Sequence, residues 1–226
     1  IMSYVADTST VVFVGGISPK LEGEEMKVSE DGFKGGDRTK IELPQVQSEM
    51  LRKLHEAGKK VVFINCSGGA MALKTEEPYC DAILQGWYLG ESGGQALAEV
   101  LYGKVNPSGK LPVTFYNSTD ELPDFLDYSM RNRTYRYFNG EPLYPFGYGL
   151  SYTSFTLSKP EYKDAFVDVS ITNTGMMDGD EVVQVYIKRL ADTEGPLKTL
   201  KGFKKVSLKA GETSLVSIPL RRDDFE

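Results

Sequence analysis

The sequence predicts two parts of different fold class: an α/β part with an open, mostly parallel sheet, followed by a β-sandwich. In the first half, apolar β-branched runs alternate with segments of helical period, an order typical of a parallel sheet with helices. Beyond residue 152, apolar and polar residues alternate over short stretches separated by turn residues, which is typical of half-buried antiparallel strands.

The α/β part contains three predicted strands and two predicted helices. "STVVFVGGI", "KVVFINCS" and "CDAILQGWY" are apolar runs, and the first is continuous enough to predict a strand buried on both faces. "LPQVQSEMLRKLHEAG" has apolar residues at helical spacing, with Pro44 suited to the first helical position and Gly58 as a stop. "SGGQALAEVLYGK" predicts a second amphipathic helix, with Ser92 as its N-cap.

The composition changes near Asn117, where a stretch rich in Tyr, Phe, Gly and Pro begins and shows no helical period. We therefore expect three segments: residues 1–116 as part of the α/β domain, 117–151 as a tethering segment, and 152–226 as a sandwich truncated at its C-terminal end. Six aromatic residues of this stretch, together with Trp87, are expected to pack domains together rather than to bind ligand. They are Trp87, Tyr135, Tyr137, Phe138, Tyr144, Phe146 and Tyr148.

Composition excludes several function classes. The formal charge of −6 argues against a nucleic-acid surface, and no apolar run is long enough to predict a membrane span. One histidine and two cysteines without a C-x-x-C spacing predict neither a metal site nor a cofactor site. A serine nucleophile is not indicated either, since Ser67 does not lie in G-x-S-x-G.

The segment "LEGEEMKVSEDGFKGGDRTKIELP", residues 21–44, carries seven carboxylates and is too long for an ordinary connection. It follows the first strand, and ligands of open α/β sheets bind outside the carboxyl ends of strands. Glu22, Glu24 and Glu25 lie close enough to raise the proton affinity of one of them, as a general acid requires. The alternative is a solvated acidic loop paired with nearby lysines and Arg38.

Four stretches together resemble the C-terminal half of glycoside hydrolase family 3, the β-xylosidase and β-glucosidase family. They are "EGEEM…GGDRTKIELPQVQ", "GKKVVFINCSGGAMAL", "ILQGWYLGESGGQALAEVLYGKVNPSGKLPVTF" and "TYRYFNGEPLYPFGYGLSYTSF". The resemblance covers essentially the whole chain, and the long segment before "GGDR" is more similar to the β-xylosidase branch. It implies part of an α/β sandwich domain followed by a fibronectin type III-like domain, without the N-terminal barrel that carries the nucleophile aspartate.

The resemblance also implies what the charged segment does. In the family, a loop of the α/β sandwich domain delivers the acid/base glutamate of a retaining exo-glycosidase. Aligning the related pattern I-E-A-E-G with residues 21–25 assigns that role to Glu24, with Glu22 as the second candidate. We therefore expect an oligosaccharide substrate and the missing barrel as partners, and no activity from this chain alone. The alternatives are a β-glucosidase of the same family and a non-catalytic carbohydrate-binding or scaffolding module.

Overall fold

The computed structural model describes residues 2–22, 26–35 and 37–225 and groups the chain into two compact units. The first comprises Ile1–Gln95 and Thr114–Leu126 and is called the α/β unit; the second comprises Ala96–Val113 and Asp127–Glu226 and is called the β unit. The division of the sequence at residues 116 and 152 stays a prediction.

The described residues of the α/β unit form five strands and two helices, and a third helix begins in them. The strands are β1 (Thr10–Gly16), β2 (Phe33–Lys34), β3 (Asp37–Arg38), β4 (Lys60–Cys66) and β5 (Ala82–Gln85). The helices are α1 (Pro19–Glu22), α2 (Gln45–Glu56) and α3 (Gly93–Leu101), the last of which continues into the β unit. Short 3-10 turns lie at Met2–Val5, Glu77–Tyr79 and Thr119–Glu121.

A three-stranded parallel sheet in the order β1-β4-β5 organises the α/β unit. Thr10 to Gly16 pair in register with Lys60 to Cys66, and Val62 to Asn65 pair with Ala82 to Gln85. Three parallel strands, with α2 between β1 and β4, confirm the predicted open α/β sheet. Their carboxyl ends therefore lie at one edge.

Helix α2 packs its apolar face on the sheet. Leu51 and Leu54 are fully buried, as is Phe63 of β4, whose ring lies 5.8 Å from that of Phe13. Pro44 is the N-cap of α2 rather than its first helical residue.

The expectation that β1 is buried on both faces was wrong for this chain. Val12 and Val14 are 48% and 63% exposed, whereas Val11 and Phe13 are partly buried. Successive side chains of a strand point to opposite faces, so one face of β1 packs in the unit and the other is open.

The β unit is an antiparallel sandwich with one additional short helix, α4 (Thr134–Tyr137). Its strands are β6 (Phe155–Leu157), β7 (Glu161–Lys163), β8 (Phe166–Asn173), β9 (Gly179–Ile187), β10 (Thr199–Leu208) and β11 (Thr213–Pro219). One sheet pairs β10 with β9; the other has the order β11-β8-β6, and β7 also pairs with β8. A 3-10 turn at Arg222–Phe225 follows.

The core of the sandwich lies between the two sheets. Its buried side chains are Val169, Ile171, Val183, Leu208, Val216 and Ile218. In β8 every second residue is buried, which is the alternation that the sequence predicted.

Candidate active-site edge

The carboxyl ends of β1, β4 and β5 form a polar edge whose side chains bind one another. Asn65 is fully buried, and its Nδ2 donates to Gln85 Oε1 at 2.7 Å and to Ser67 Oγ at 3.3 Å. Ser67 Oγ donates in turn to the carbonyl of Gly69 at 2.8 Å. These bonds fix the start of the loop after β4, since most buried polar groups require partners.

Gly16 sets the direction in which the chain leaves β1. Its φ of 110° is unfavourable for L side chains, and a Cβ there would lie 2.0 Å from the carbonyl oxygen of Cys66. The amide of Gln47, on α2, accepts from the backbone N–H of Gly16 at 2.8 Å and donates to its carbonyl at 2.7 Å. Both backbone groups of Gly16 are therefore bonded to Gln47, just before the chain enters α1.

Helix α1 ends at Glu22, and this carboxylate lies against the loop after β5. Tyr88 donates its phenolic proton to Glu22 Oε2 at 2.6 Å. Burial, followed by the hydrogen bond and the charge of Glu22, raises the pKa of Tyr88 to about 12, so the phenol is a donor at neutral pH.

The absence of a side chain at Gly68 makes room for the hydrogen-bonded pair of Tyr88 and Glu22. A Cβ at Gly68 would lie 2.8 Å from Tyr88 Cε2 and 3.1 Å from Glu22 Oε2. The loops after β1, β4 and β5 therefore meet at one point, which requires a residue without a side chain on the middle loop.

Arg38 lies at the end of a short hairpin formed by β2 and β3, inside the charged segment. Its guanidinium donates to the carbonyl of Ala70 at 3.3 Å and to Met71 Sδ at 3.1 Å. Burial lowers the pKa of Arg38, while the carboxylates of Glu22 and Glu42 oppose that shift. A guanidinium remains protonated in proteins, so Arg38 brings positive charge to this edge.

Glu42 is fixed by Thr119. The backbone N–H of Thr119 donates to Glu42 Oε1 at 2.8 Å and its hydroxyl donates to Oε2 at 2.6 Å. Burial alone would raise the pKa of Glu42, but these hydrogen bonds lower it below the ordinary value. Glu42 is therefore a charged counterpart of Arg38 rather than a candidate proton donor.

Of the three candidate acids, Glu22 lies at this edge, whereas Glu24 and Glu25 lie outside the described residues. Sequence reasoning did not identify Tyr88 as the partner of Glu22, because 66 residues separate them. It did name Arg38, but only as a possible ion-pair partner of a solvated acidic loop.

Trp87, next to Tyr88, has a left-handed backbone with φ of 57°. That conformation is an outlier for a bulky residue and clusters at functional sites. Its indole packs edge-on against Phe115, with ring centroids 6.2 Å apart, so the side chain itself is part of the packing.

Within residues 2–22, 26–35 and 37–225, no three His, Cys, Asp or Glu side chains are grouped to hold a metal ion. In the same residues no helix is long and apolar enough to cross a bilayer.

The fold and this edge define a protein with an α/β unit whose strands end at polar side chains that include the carboxylate of Glu22, followed by a fibronectin type III-like sandwich. Residues 2–152 match the glycosyl hydrolase family 3 C-terminal domain, and residues 181–226 match the fibronectin type III-like domain. The chain belongs to glycosyl hydrolase family 3, a family of enzymes that hydrolyse glycosides, as its resemblance predicted.

Similar proteins include β-xylosidases and β-glucosidases. The chain is 52% identical over 222 residues to a xylan 1,4-β-xylosidase of Xylanibacter ruminicola, covering 96% of this chain and 26% of that protein. It is 42% identical over 205 residues to a periplasmic β-glucosidase of Salmonella typhimurium, covering 81% of this chain and 27% of that protein. The chain thus spans about a quarter of the length of these relatives.

Solved structures agree with the fold. The β-glucosidase EmGH1 of Erythrobacter marinus superposes with a TM-score of 0.82 at 35% identity, covering 99% of this chain and 31% of that one. The exo-β-xylosidase XlnD, solved with a xylobiose aziridine probe, superposes with a TM-score of 0.83 at 26% identity, covering 97% and 32%.

Proposed function

We propose that this chain is the C-terminal part of a retaining, exo-acting β-xylosidase that hydrolyses xylo-oligosaccharides, and that it supplies the acid/base residue, Glu24. The nucleophile comes from an N-terminal barrel of the same protein. The similarity to a xylan 1,4-β-xylosidase over 222 residues supports the substrate class.

One observation carries the assignment of the catalytic loop. Tyr88 holds Glu22 at the carboxyl edge of the parallel sheet, where ligands of open α/β sheets bind. Glu24 follows two residues later. The Tyr88–Glu22 bond therefore fixes Glu22 at that edge, which supports assigning the acid/base to the segment that follows.

The chemistry requires two carboxylates about 5–5.5 Å apart. Glu24, protonated, donates its proton to the leaving oxygen while the barrel carboxylate attacks the anomeric carbon. In the second step Glu24, now ionised, takes a proton from the water that hydrolyses the glycosyl-enzyme. Since this chain supplies one of the two groups, it should show no aryl-xylosidase activity by itself.

The test compares Glu24→Ala, Glu22→Ala and Glu25→Ala in the whole protein, using aryl xylosides. For a poor leaving group, Glu24→Ala should lose activity by roughly 10²–10⁴-fold. For a strongly acidic phenol, the first step needs no acid, so the glycosyl-enzyme should accumulate and give a burst with a low KM. Azide, which needs no general base, should restore turnover and yield a β-xylosyl azide.

The variants at Glu22 and Glu25 separate positioning from catalysis. Glu22→Ala and Tyr88→Phe should both reduce kcat, because each removes the Tyr88–Glu22 bond, but neither should form the azide product. Azide rescue of Glu22→Ala instead of Glu24→Ala would move the acid/base to Glu22. If none of the three variants is rescued, the acid lies outside residues 22–25, and Glu30 or Asp31 is the next candidate.

A β-glucosidase is the second candidate, since proteins with that name are 42% and 35% identical to this chain. The two activities are distinguished by the ratio of kcat/KM for an aryl xyloside to that for the matching aryl glucoside. A ratio well above one supports the β-xylosidase, and a ratio below one replaces it with the β-glucosidase.

A further inference from the structure

A small cavity in the β unit has a composition that the proposed function does not explain. Its volume is about 210 Å³, and it lies where the β9–β10 ladder ends. Arg136 and Tyr137 of α4 form one wall, and Arg189 and Lys201 form another. Asp224 is the single carboxylate in this lining, so the described lining carries a net charge of about +2.

Lys201 lines the cavity because of a β-bulge. Leu200 pairs with Tyr186 and Gly202 pairs with Val185, so Lys201 is an extra residue in β10. Bulges re-aim a side chain and are over-represented near functional sites. A Cβ at Gly202 would lie 2.6 Å from Ile218 Cγ2, which shows how closely the strand approaches the core at the bulge.

Within the part of the chain that the structure describes, the side chain of Arg136 makes no salt bridge, and its backbone is bonded to the segment before β10. Its carbonyl accepts from the backbone N–H of Leu197 at 2.6 Å. Tyr135 stacks on Phe146 at 4.3 Å between ring centroids, and its hydroxyl accepts from the backbone N–H of Leu200 at 3.2 Å. The wall formed by α4 is therefore attached to the same β10 segment that carries the bulge.

Among the described residues, the cations of the cavity are incompletely paired. Arg136 Nε is buried without a hydrogen-bond partner among the described residues, and its guanidinium carbon lies 5.5 Å from the centre of the Tyr137 ring. Arg189 donates to the carbonyl of Phe225 at 3.3 Å, and Lys201 Nζ lies 3.7 Å from Asp224 Oδ1. Asp224 pairs with Lys201, so neither guanidinium has a carboxylate partner among the described residues.

We propose that this cavity binds a sugar-sized molecule that carries one carboxylate, such as a hexuronate, through Arg136 and Arg189. The planar guanidinium fork matches a carboxylate with two parallel hydrogen bonds. Tyr137 and Ile187 provide apolar surface for a ring. Asp224 disfavours a doubly charged ligand such as phosphate, since it places a negative charge in the same lining. None of the lining residues has a role in the proposed acid/base chemistry, so binding at this cavity is tested without measuring glycosidase activity.

The experiment is a titration of the 226-residue chain with sodium glucuronate, followed by amide NMR. Saturable shifts are expected at Tyr137, Ile187 and Thr199, with xylose producing none. Sodium acetate and inorganic phosphate, at equal ionic strength, should each bind more weakly than glucuronate. Acetate separates the contribution of the carboxylate from that of the ring.

Two variants test the assigned residues. Arg189→Gln and Arg136→Gln should each raise the Kd for glucuronate by roughly tenfold or more, because a hydrogen bond to a charged group contributes about 1.5–3 kcal/mol. Arg189 is exposed, so its variant should fold normally even where Arg136→Gln does not. Arg52→Gln, on an exposed face of α2 and paired with Glu56, is the matched control and should leave the Kd unchanged.

The proposal is overturned by any of four results. These are no saturable shift with glucuronate, equal shifts with xylose, an unchanged Kd in Arg189→Gln, and tighter binding of phosphate than of glucuronate.

Discussion

Asn173, at the end of β8, should be among the most sensitive positions of the sandwich. It is fully buried, and its side chain makes four hydrogen bonds. Oδ1 accepts from Thr153 Oγ1 at 2.7 Å and from the backbone N–H of Gly175 at 3.1 Å. Nδ2 donates to the carbonyls of Met177 at 2.9 Å and Leu208 at 3.3 Å. One amide thus joins β8, the turn into β9 and the end of β10.

The cost of Asn173→Ala depends on which partners water can reach. Thr153 and Leu208 are 9% and 3% exposed, so their groups would stay unpaired at about 1–3 kcal/mol each. Gly175 and Met177 are half-buried and can bind water instead. We therefore expect a loss of about 2–6 kcal/mol, a large part of the usual 5–15 kcal/mol stability of a domain.

The variant Asn173→Asp tests the two donor bonds of this side chain separately from its two acceptor bonds. The introduced carboxyl keeps both acceptor bonds, loses both donors and faces two carbonyl oxygens. Burial raises the pKa of such a group above its unfolded value. The protonated form can still donate, so the variant is closest to wild type at low pH and loses stability as pH rises through the folded pKa.

Urea unfolding followed by the amide signals of Ile171 and Val183 measures this loss in the β unit. Trp87, the single tryptophan, reports the α/β unit by fluorescence in the same samples. Asn139→Asp adds the same charge at an exposed position and should change stability by less than about 0.5 kcal/mol. A loss below about 1 kcal/mol for Asn173→Ala would refute the reasoning, because it would mean that the four bonds are replaced without cost.

Two other predictions concern the α/β unit. Glu76 is 2% exposed and burial raises its pKa, although Ser48 donates to it. Folding therefore favours the protonated form of Glu76, and wild-type stability should fall as pH rises through the folded pKa. Glu76→Gln should make stability less dependent on pH. An unchanged pH dependence of the melting temperature from pH 4 to 8 would contradict this. Gly68→Ala should cost about 1 kcal/mol by displacing Tyr88, while Gly94→Ala, with nothing within 4 Å of the added Cβ, should not destabilise. Equal urea midpoints for the two alanine variants would count against the close approach at Gly68.

The helices and strands that the sequence predicted well are those whose apolar residues follow a regular local spacing. α2 has apolar residues at helical spacing, and β8 alternates, so each burial face can be read from a few neighbouring residues. β1 shows the limit of that reasoning. Its apolar run fits a strand covered on both sides, but whether Val12 and Val14 are covered depends on what packs there, which the strand's own residues do not encode.

The candidate site was only partly predictable, because its contacts join residues far apart in the chain. The charged segment and its position after β1 followed from composition and topology. The hairpin of β2 and β3 did not, since four residues with no alternation carry no strand signal. Nor could the contact of Arg38 with Met71, 33 residues away, be inferred without the fold.

Of the two candidate acids, Glu22 has a structural contact that argues against its being the general acid. Glu22 already accepts a 2.6 Å hydrogen bond from Tyr88, and the absence of a side chain at Gly68 leaves room for that bond. A carboxylate engaged in this way is suited to hold the end of α1 against the sheet edge. A general acid must instead reach an oxygen of the substrate. We therefore propose that two glutamates share the two duties: Glu22 anchors the end of α1, and Glu24 transfers the proton.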